Sequence, residues 1–493
     1  MKRWIFRGGV LLALYGVAAT ASAVVRLPAL FSDHMVLQRD RTIPVWGWAT
    51  PGEHVSVRFG GHGAETYADA TGAWRVSLPA MPADTGGREL VVQGGDRVTV
   101  HDVLVGDVWL CTGQSNMEFP IDGWTHPLHV RQVVATSSHP DIRLIDVPNL
   151  AASAPRKDFR GRWLPASPAT IAGFPSVGYF FALRIQRETG VPIGLVEADW
   201  GGTAIEPWIP ADGYERSPRL AVEYRRLQQL QRRWADEQAD YGVPRAAYPM
   251  PLPVADNQLP TVLYNAMVAP LAGYGIRGAL WYQGEQNVTD QTIGYYHDLK
   301  ALIDGWRRAW GQGDFPFIIA QIAPFGGYEH PQMEPLIWAA QIRAAQRLKN
   351  VGIAGTMDLG DLDDIHFKDK QDVGKRMALW ALARVYGRRG LVYSGPVYRS
   401  MDVEGAQVVI HFSHTGSGLA SRDGAPLDWF QLAGADGRFV DAQARIRGKD
   451  VVVRAPAVLH PVAVRFGWSN VAEPNLMNRE GLPAMPFRTA TAP

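Results

Sequence analysis

The sequence predicts an α/β fold, a doubly wound and mostly parallel sheet, with accessory all-β regions of sandwich or jelly-roll-like type on either side of it. Three features of the pattern predict it. Short β-type runs separated by turn residues fill residues 24–103; five apolar, β-rich runs then alternate with helical stretches through 104–392; and the β pattern returns over 393–466, ahead of a Pro/Asn-rich tail at 467–493. A chain of 493 residues that is 46% hydrophobic and 20% charged, with 51 Gly and 35 Pro, has ample material for such cores, and its composition excludes wholesale disorder and collagen-like repeats.

Taken in order, residues 1–23 stand apart. Lys2, Arg3 and Arg7 precede the apolar run Val10–Ala19, and Ala21-Ser22-Ala23 has the small-x-small form of a signal-peptidase site, so a cleaved signal peptide is expected. The run falls short of the ~20 residues a spanning helix needs, which argues against an anchor and for a periplasmic or secreted protein with no membrane contact after cleavage. In the first β module, Thr42–Trp48, His54–Phe59, Trp74–Leu78, Glu89–Gln93 and Arg97–Val103 are strand candidates, broken by Pro51-Gly52 and Gly60-Gly61. The α/β strands are Val103–Cys111, Ile193–Ala198, Ile276–Tyr282, Phe315–Ile322 and Val351–Met357; the helices between and after them are Tyr179–Thr189, Tyr295–Trp310, Leu336–Lys349 and Asp369–Tyr386. Leu220–Tyr241 carries Leu220, Leu227, Leu230 and Trp234 at helical spacing and reads as an amphipathic surface helix, with a lid over the site as the alternative. Strands return at Gln407–Ser413, Trp429–Leu432, Val451–Arg454 and Val462–Phe466, and the tail, with Trp468, Asn475 and Asn478, is expected to fold back near the site of the α/β domain.

Charge and cysteine usage narrow the function classes. Lys and Arg number 49 against 48 Asp and Glu, and no basic stripe stands out, so nucleic acid is excluded as a first reading. Removal of the three basic residues before position 24 leaves 46 against 48. A single cysteine, Cys111, permits neither an intramolecular disulfide nor a multi-thiolate zinc site, which suits a bacterial periplasm or exterior, and 17 Trp supply candidates for stacking on sugar rings. Oligomeric state is not legible.

In an open parallel sheet, ligands bind outside the carboxyl ends of the strands. The unusual polar residues fall there: Thr112-Gly113-Gln114-Ser115-Asn116-Met117 after the first α/β run, Asp199-Trp200-Gly201-Gly202-Thr203 after the second, Gln283-Gly284-Glu285-Gln286-Asn287 after the third, and the run from Asp358 to His366 after the fifth. A serine hydroxyl needs a base, and Ser115 on a strand-to-helix turn could meet the distant His366, with Asp363 three residues before it holding the other imidazole nitrogen. Asp363 is preferred to Asp364 because residues three apart in a turn entering a helix come to one side. Acyl transfer also needs oxyanion donors, for which the N–H of Ser115, a glycine at 201 or 202, and the amide of Gln283 are available.

Ser115 in GQSNM, Gly202 in DWGGT, Gln283 in WYQGEQN and the Asp363/His366 pair in DDIHFKDK resemble, in order and context, the blocks of the SGNH hydrolase superfamily, and specifically its sialate O-acetylesterase-like branch. FSDHMVLQRD near the start and FGWSNVAEPNLMNREGLPAMPFRT near the end resemble that branch's terminal segments. The resemblance implies a flavodoxin-like catalytic domain, serine esterase chemistry with no metal or cofactor, and O-acetylated carbohydrate, sialic acid or plant hemicellulose such as xyloglucan or xylan, as substrate. Ser115, Asp363 and His366 would be the catalytic residues, with Ser115, Gly202 and Gln283 holding the oxyanion. Gln114, Asn116, Trp200, Glu206, Trp208 and Glu285 lie beside these motifs and are expected to contact substrate; Trp281 reads as core. Two rivals remain: a non-catalytic carbohydrate-binding protein, and a metal-dependent phosphoesterase using Asp358, Asp361, Asp363 and His366.

Overall fold

The computed structural model describes residues 25–124, 126–222, 224–229 and 256–489. The expected signal peptide and most of the Leu220–Tyr241 helix lie outside the described residues.

The central sheet is built on one long strand, β1 (Arg97–Gly113). Its first six residues are mostly exposed or half-buried, with only Val100 buried, and from Val103 onward every residue is buried. The first half pairs antiparallel with Asp84–Gln93 of the β module; from Asp107 onward the strand joins parallel neighbours on both sides and is buried throughout, which is why this half reads as apolar apart from that one carboxylate. The expected boundary between residues 103 and 104 therefore falls inside a single strand. The β module and the parallel sheet share that strand and one continuous hydrophobic core. The FSDHMVLQRD segment seals the junction: Val36–Gln38 pairs with Leu104–Gly106, and Gln38, Arg39 and Arg277 all bond the fully buried carboxylate of Asp107 at 2.7–3.1 Å.

The remaining parallel strands are β2 (His139–Asp146), β3 (Ile193–Asp199), β4 (Gly278–Tyr282), β5 (Phe317–Ala320) and β6 (Val351–Ala354), in the spatial order 2-3-1-4-5-6. With β3 on one side of β1 and β4 on the other, the direction of winding reverses at β1, which opens a crevice at its carboxyl end. A single helical turn, α1 (Ser115–Glu118), follows β1. The helices α2 (Ser176–Thr189) and α6 (Lys370–Arg384) pack on each other, and so do α4 (Tyr295–Trp310) and α5 (Glu334–Arg347), while the short α3 (Glu285–Thr289) follows β4. Among the described residues no helix is long and apolar enough to cross a membrane.

The C-terminal region carries two four-stranded antiparallel sheets around its own core, which includes Val408, Ile410, Phe430, Leu432, Val451 and Phe466. The tail is part of it: Leu476–Asn478 pairs with Leu419–Ser421, and Phe487–Arg488 with Arg465–Phe466. Asn475 bonds Pro426 and Asp428, and Asn478 bonds Ser394, so these two build the β region instead of folding back on the site. Asn470 does reach across, donating to Phe325 O at 2.9 Å, next to the Gly326 N–H that bonds Leu362 O.

Candidate active site

Ser115 owes its place to Gly113. That residue has φ +138°, and a Cβ on it would come 2.0 Å from Tyr282 O, so glycine alone lets β1 end this close to the end of β4. The chain then turns into α1 with Ser115 half-buried at its start, and His366 Nε2, from the irregular segment 355–369 between β6 and α6, stands 2.9 Å from Ser115 Oγ. Asn116 ties the two segments together: its Nδ2 donates to Ile365 O at 3.0 Å and to Glu285 Oε1 at 2.7 Å. The turn after β3 packs on the same spot, since a Cβ on Gly201 would come 3.3 Å from Ser115 Cβ. The Gly201 N–H is taken by Glu118 Oε2 at 2.6 Å, while Gly202, exposed and at φ +68°, has no partner for its N–H among the described residues.

Several expected roles do not survive the geometry. Gln283 is fully buried, and its Nε2 faces three acceptors, Asn287 Oδ1 at 2.6 Å, Thr203 O at 3.1 Å and Gln114 Oε1 at 3.2 Å, which leaves its two hydrogens none for an oxyanion. Tyr295 Oη at 2.6 Å from Gln283 Oε1 fixes that orientation of the amide. Gln114 is buried too: its Oε1 accepts from the N–H groups of Gly284 and Gln286, satisfying the start of α3. Asn116 and Glu285 are buried against each other, and Trp208 is fully buried, edge-on to Trp281, with its indole N–H on Thr203. Glu206 is half-buried with its carboxylate on Asn287. The five buried side chains, Gln114, Asn116, Trp208, Gln283 and Glu285, shape the site from behind; Trp200, beside Gly201, and Glu206 are half-buried and are the expected contacts that keep a surface there.

The carboxylate expected on His366, that of Asp363, does not reach it. Asp363 is exposed, its N–H bonds Asp361, and no hydrogen bond joins it to His366 among the described residues. Asp364 accepts the backbone N–H of His366 at 2.8 Å, and its charge reaches the imidazole. The 361–364 turn is closed by a bridge between Asp361 and Asp364, and both Asp363 and Asp364 are exposed on it.

Burial holds the His366 pKa below the usual histidine range; Lys370 adds to this and Asp364 opposes it. The ring is therefore neutral and able to accept a proton at neutral pH. Lys370 is itself fully buried over the rings of Phe367 and Phe119, with its ammonium on Phe367 O, and burial lowers its pKa to about 7. Burial likewise raises Glu285. Behind the Gly201 turn, burial and neighbouring carboxylates hold Glu197 and Asp199 well above the usual carboxylate range. Asp358, a ligand in the metal reading, is held by both arms of Arg376 at 2.6 and 2.8 Å.

Sequence reasoning missed Trp124. It is 57% exposed, and its ring lies 5.1 Å from that of His366 at 78°. The signal available was an aromatic directly after the turn residues Asp122-Gly123, nine positions beyond the serine.

The chain is similar to known carbohydrate esterases. Residues 254–383 match the family model for carbohydrate esterase, sialic acid-specific acetylesterase. Sialate O-acetylesterase of Rattus norvegicus is 28% identical over 443 residues, 80% of each chain, and that of Homo sapiens is 28% identical over 419 residues, 77% of this chain and 74% of the human one. The crystal structure of a carbohydrate acetylesterase from Xanthomonas citri is 39% identical and superposes with a TM-score of 0.84, over 95% of this chain and all of that one. With a serine and a histidine in hydrogen-bond contact at the crevice of a doubly wound sheet, the chain belongs to the sialate O-acetylesterase-like family of SGNH carbohydrate esterases.

Proposed function

We propose that the chain is an exported carbohydrate O-acetylesterase in which Ser115 is the nucleophile, His366 the base and Asp364 the carboxylate that supports the imidazolium. The observation that carries the reading is the 2.9 Å contact between Ser115 Oγ and His366 Nε2 beside a glycine turn whose Gly202 N–H has no partner among the described residues. Ser115 Oγ attacks the acetyl carbonyl as its proton passes to Nε2, and the tetrahedral oxyanion takes hydrogen bonds from the N–H groups of Ser115 and Gly202. The imidazolium then protonates the departing sugar oxygen. Water, deprotonated by the same nitrogen, releases acetate and restores the serine. Gln283 holds the Thr203 carbonyl and thereby the turn that carries Gly202, so it supports the oxyanion site at one remove.

Of the two sugar classes, neutral hemicellulose is favoured over sialic acid. Over 361–368 the exposed charged side chains are Asp361, Asp363, Asp364 and Lys368, and the Lys370 ammonium is buried, so a sugar carboxylate would meet net negative charge at the rim. Rates on O-acetylated sialic acids, acetylated xylan and acetylated xyloglucan oligosaccharides test this: faster turnover of the neutral substrates supports it, and turnover of sialates alone would refute it. Export is tested by N-terminal sequencing of the secreted or periplasmic protein, with Val24 as the expected first residue.

A further inference from the structure

Six tryptophans, Trp109, Trp163, Trp208, Trp281, Trp306 and Trp338, are fully buried, whereas Trp124 keeps 57% of its surface in water. Its loop is tied down on both sides. Ile121 N–H and Asp122 N–H bond Phe174 O and Ala172 O at 2.9 Å, and Leu128 N–H bonds Lys368 O at 3.1 Å, within the segment that carries His366. The indole touches Phe119, ring centroids 5.7 Å apart, and His366, and the rest of the ring is open. A large apolar ring fixed beside the reacting groups and left uncovered gains free energy from any ligand that covers it.

We infer that Trp124 is the platform for the sugar ring that bears the acetyl group, and so a specificity-determining residue of this esterase; the inference rests on the acyl-transfer reading above. A pyranose has a face of C–H bonds that packs on an indole, whose face is electron-rich, while the hydroxyls at the ring edge stay solvated. A sugar seated there lies next to His366 Nε2, the atom that must protonate its departing oxygen, and the acetyl group projects toward Ser115. Stacking of this kind holds substrate and transition state alike, so its loss raises KM more than it lowers kcat.

The test compares an acetylated neutral oligosaccharide with ethyl acetate, an ester of the same acyl group with no ring to stack. The readout is the ratio of their kcat/KM values in wild type, Trp124→Ala and Trp124→Phe. The expected result is a ratio at least tenfold lower in Trp124→Ala, carried by KM on the oligosaccharide, with Trp124→Phe in between. An equal fall on both esters would mean that Trp124 acts through His366 alone, and an unchanged ratio would mean that no sugar rests on it; either overturns the inference. Ser115→Ala measured alongside separates this from failure of the acyl-transfer reading, because activity retained in that variant would overturn the reading whatever the Trp124 ratio shows.

Discussion

Replacing Asp364 by asparagine removes a charge and keeps a shape. The amide oxygen still accepts the His366 N–H that Asp364 Oδ1 accepts at 2.8 Å, so the turn before the histidine stays closed. What is lost is the field that favours the protonated ring. A buried triad aspartate is worth up to ~10⁴ in turnover, but Asp364 is exposed and water screens it. For a separation of about 5 Å and an effective dielectric constant between about 20 and 80, the lost stabilisation of the imidazolium is roughly 1–3 kcal/mol. That corresponds to a fall in kcat of roughly 5- to 150-fold. The assay is acetate release from an acetylated oligosaccharide at pH 7, with folding checked by circular dichroism, run on Asp364→Asn and Asp363→Asn together. Asp363→Asn is expected within about threefold of wild type, since its exposed carboxylate bonds neither the ring nor the backbone of His366 and, unlike that of Asp364, is not among the charges that act on the imidazole. A larger loss in Asp363→Asn than in Asp364→Asn would refute the reasoning.

Lys370→Gln removes the cation that depresses His366, so the acid limb of the kcat/KM profile moves to higher pH; Lys370, with its pKa of about 7, is still charged where His366 titrates, and an unmoved limb would refute the coupling. Glu197 has a raised pKa in the fold, so the folded state holds a proton that the unfolded chain gives up above its ordinary value of 4.5, and its contribution to stability declines as pH rises through that value toward the folded pKa. Glu197→Gln should therefore raise Tm more at pH 8 than at pH 5, and a gain confined to pH 5 would contradict this. Gln114→Ala leaves Gly284 N–H, Gln286 N–H and Gln283 Nε2 without their shared acceptor; a loss of roughly 2–4 kcal/mol in urea denaturation is expected, against under 1 kcal/mol if the side chain faced solvent.

The parts of the fold that the sequence made legible are those where one periodicity decides. Tyr295–Trp310 is a helix over the range its apolar spacing marks, and Gly294 and Gly311, both at positive φ, bound it. The buried strands were visible as apolar runs, whereas β2 was not: its stretch opens His139-Pro140-Asp141 and carries Arg143 and Asp146 around only three apolar residues, Ile142, Leu144 and Ile145. The division at residue 103 misled because a strand passing from one sheet into another needs no turn, and so leaves no Gly/Pro mark at the border. At the site, order along the chain brought Ser115, Gly202 and His366 to one crevice. It could not say which amides face inward: Gln114, Asn116 and Gln283 sit beside the site in sequence, but burial turned each toward backbone or buried partners that would otherwise be left unpaired. That Asp364 and not Asp363 bonds the His366 backbone depends on the shape of one short turn, and the place of Trp124 on where a loop is tied, neither of which local spacing encodes.

The central claim is that acetyl passes from sugar to Ser115. Mass spectrometry of enzyme quenched in acid during turnover of an acetylated oligosaccharide tests it most directly. Acetyl is expected on the peptide that contains Ser115, absent from Ser115→Ala, with the activity of that folded variant down by several orders of magnitude. Acetyl found on another residue, or more than about a tenth of wild-type activity in Ser115→Ala, a loss of only ~1.4 kcal/mol, would contradict it.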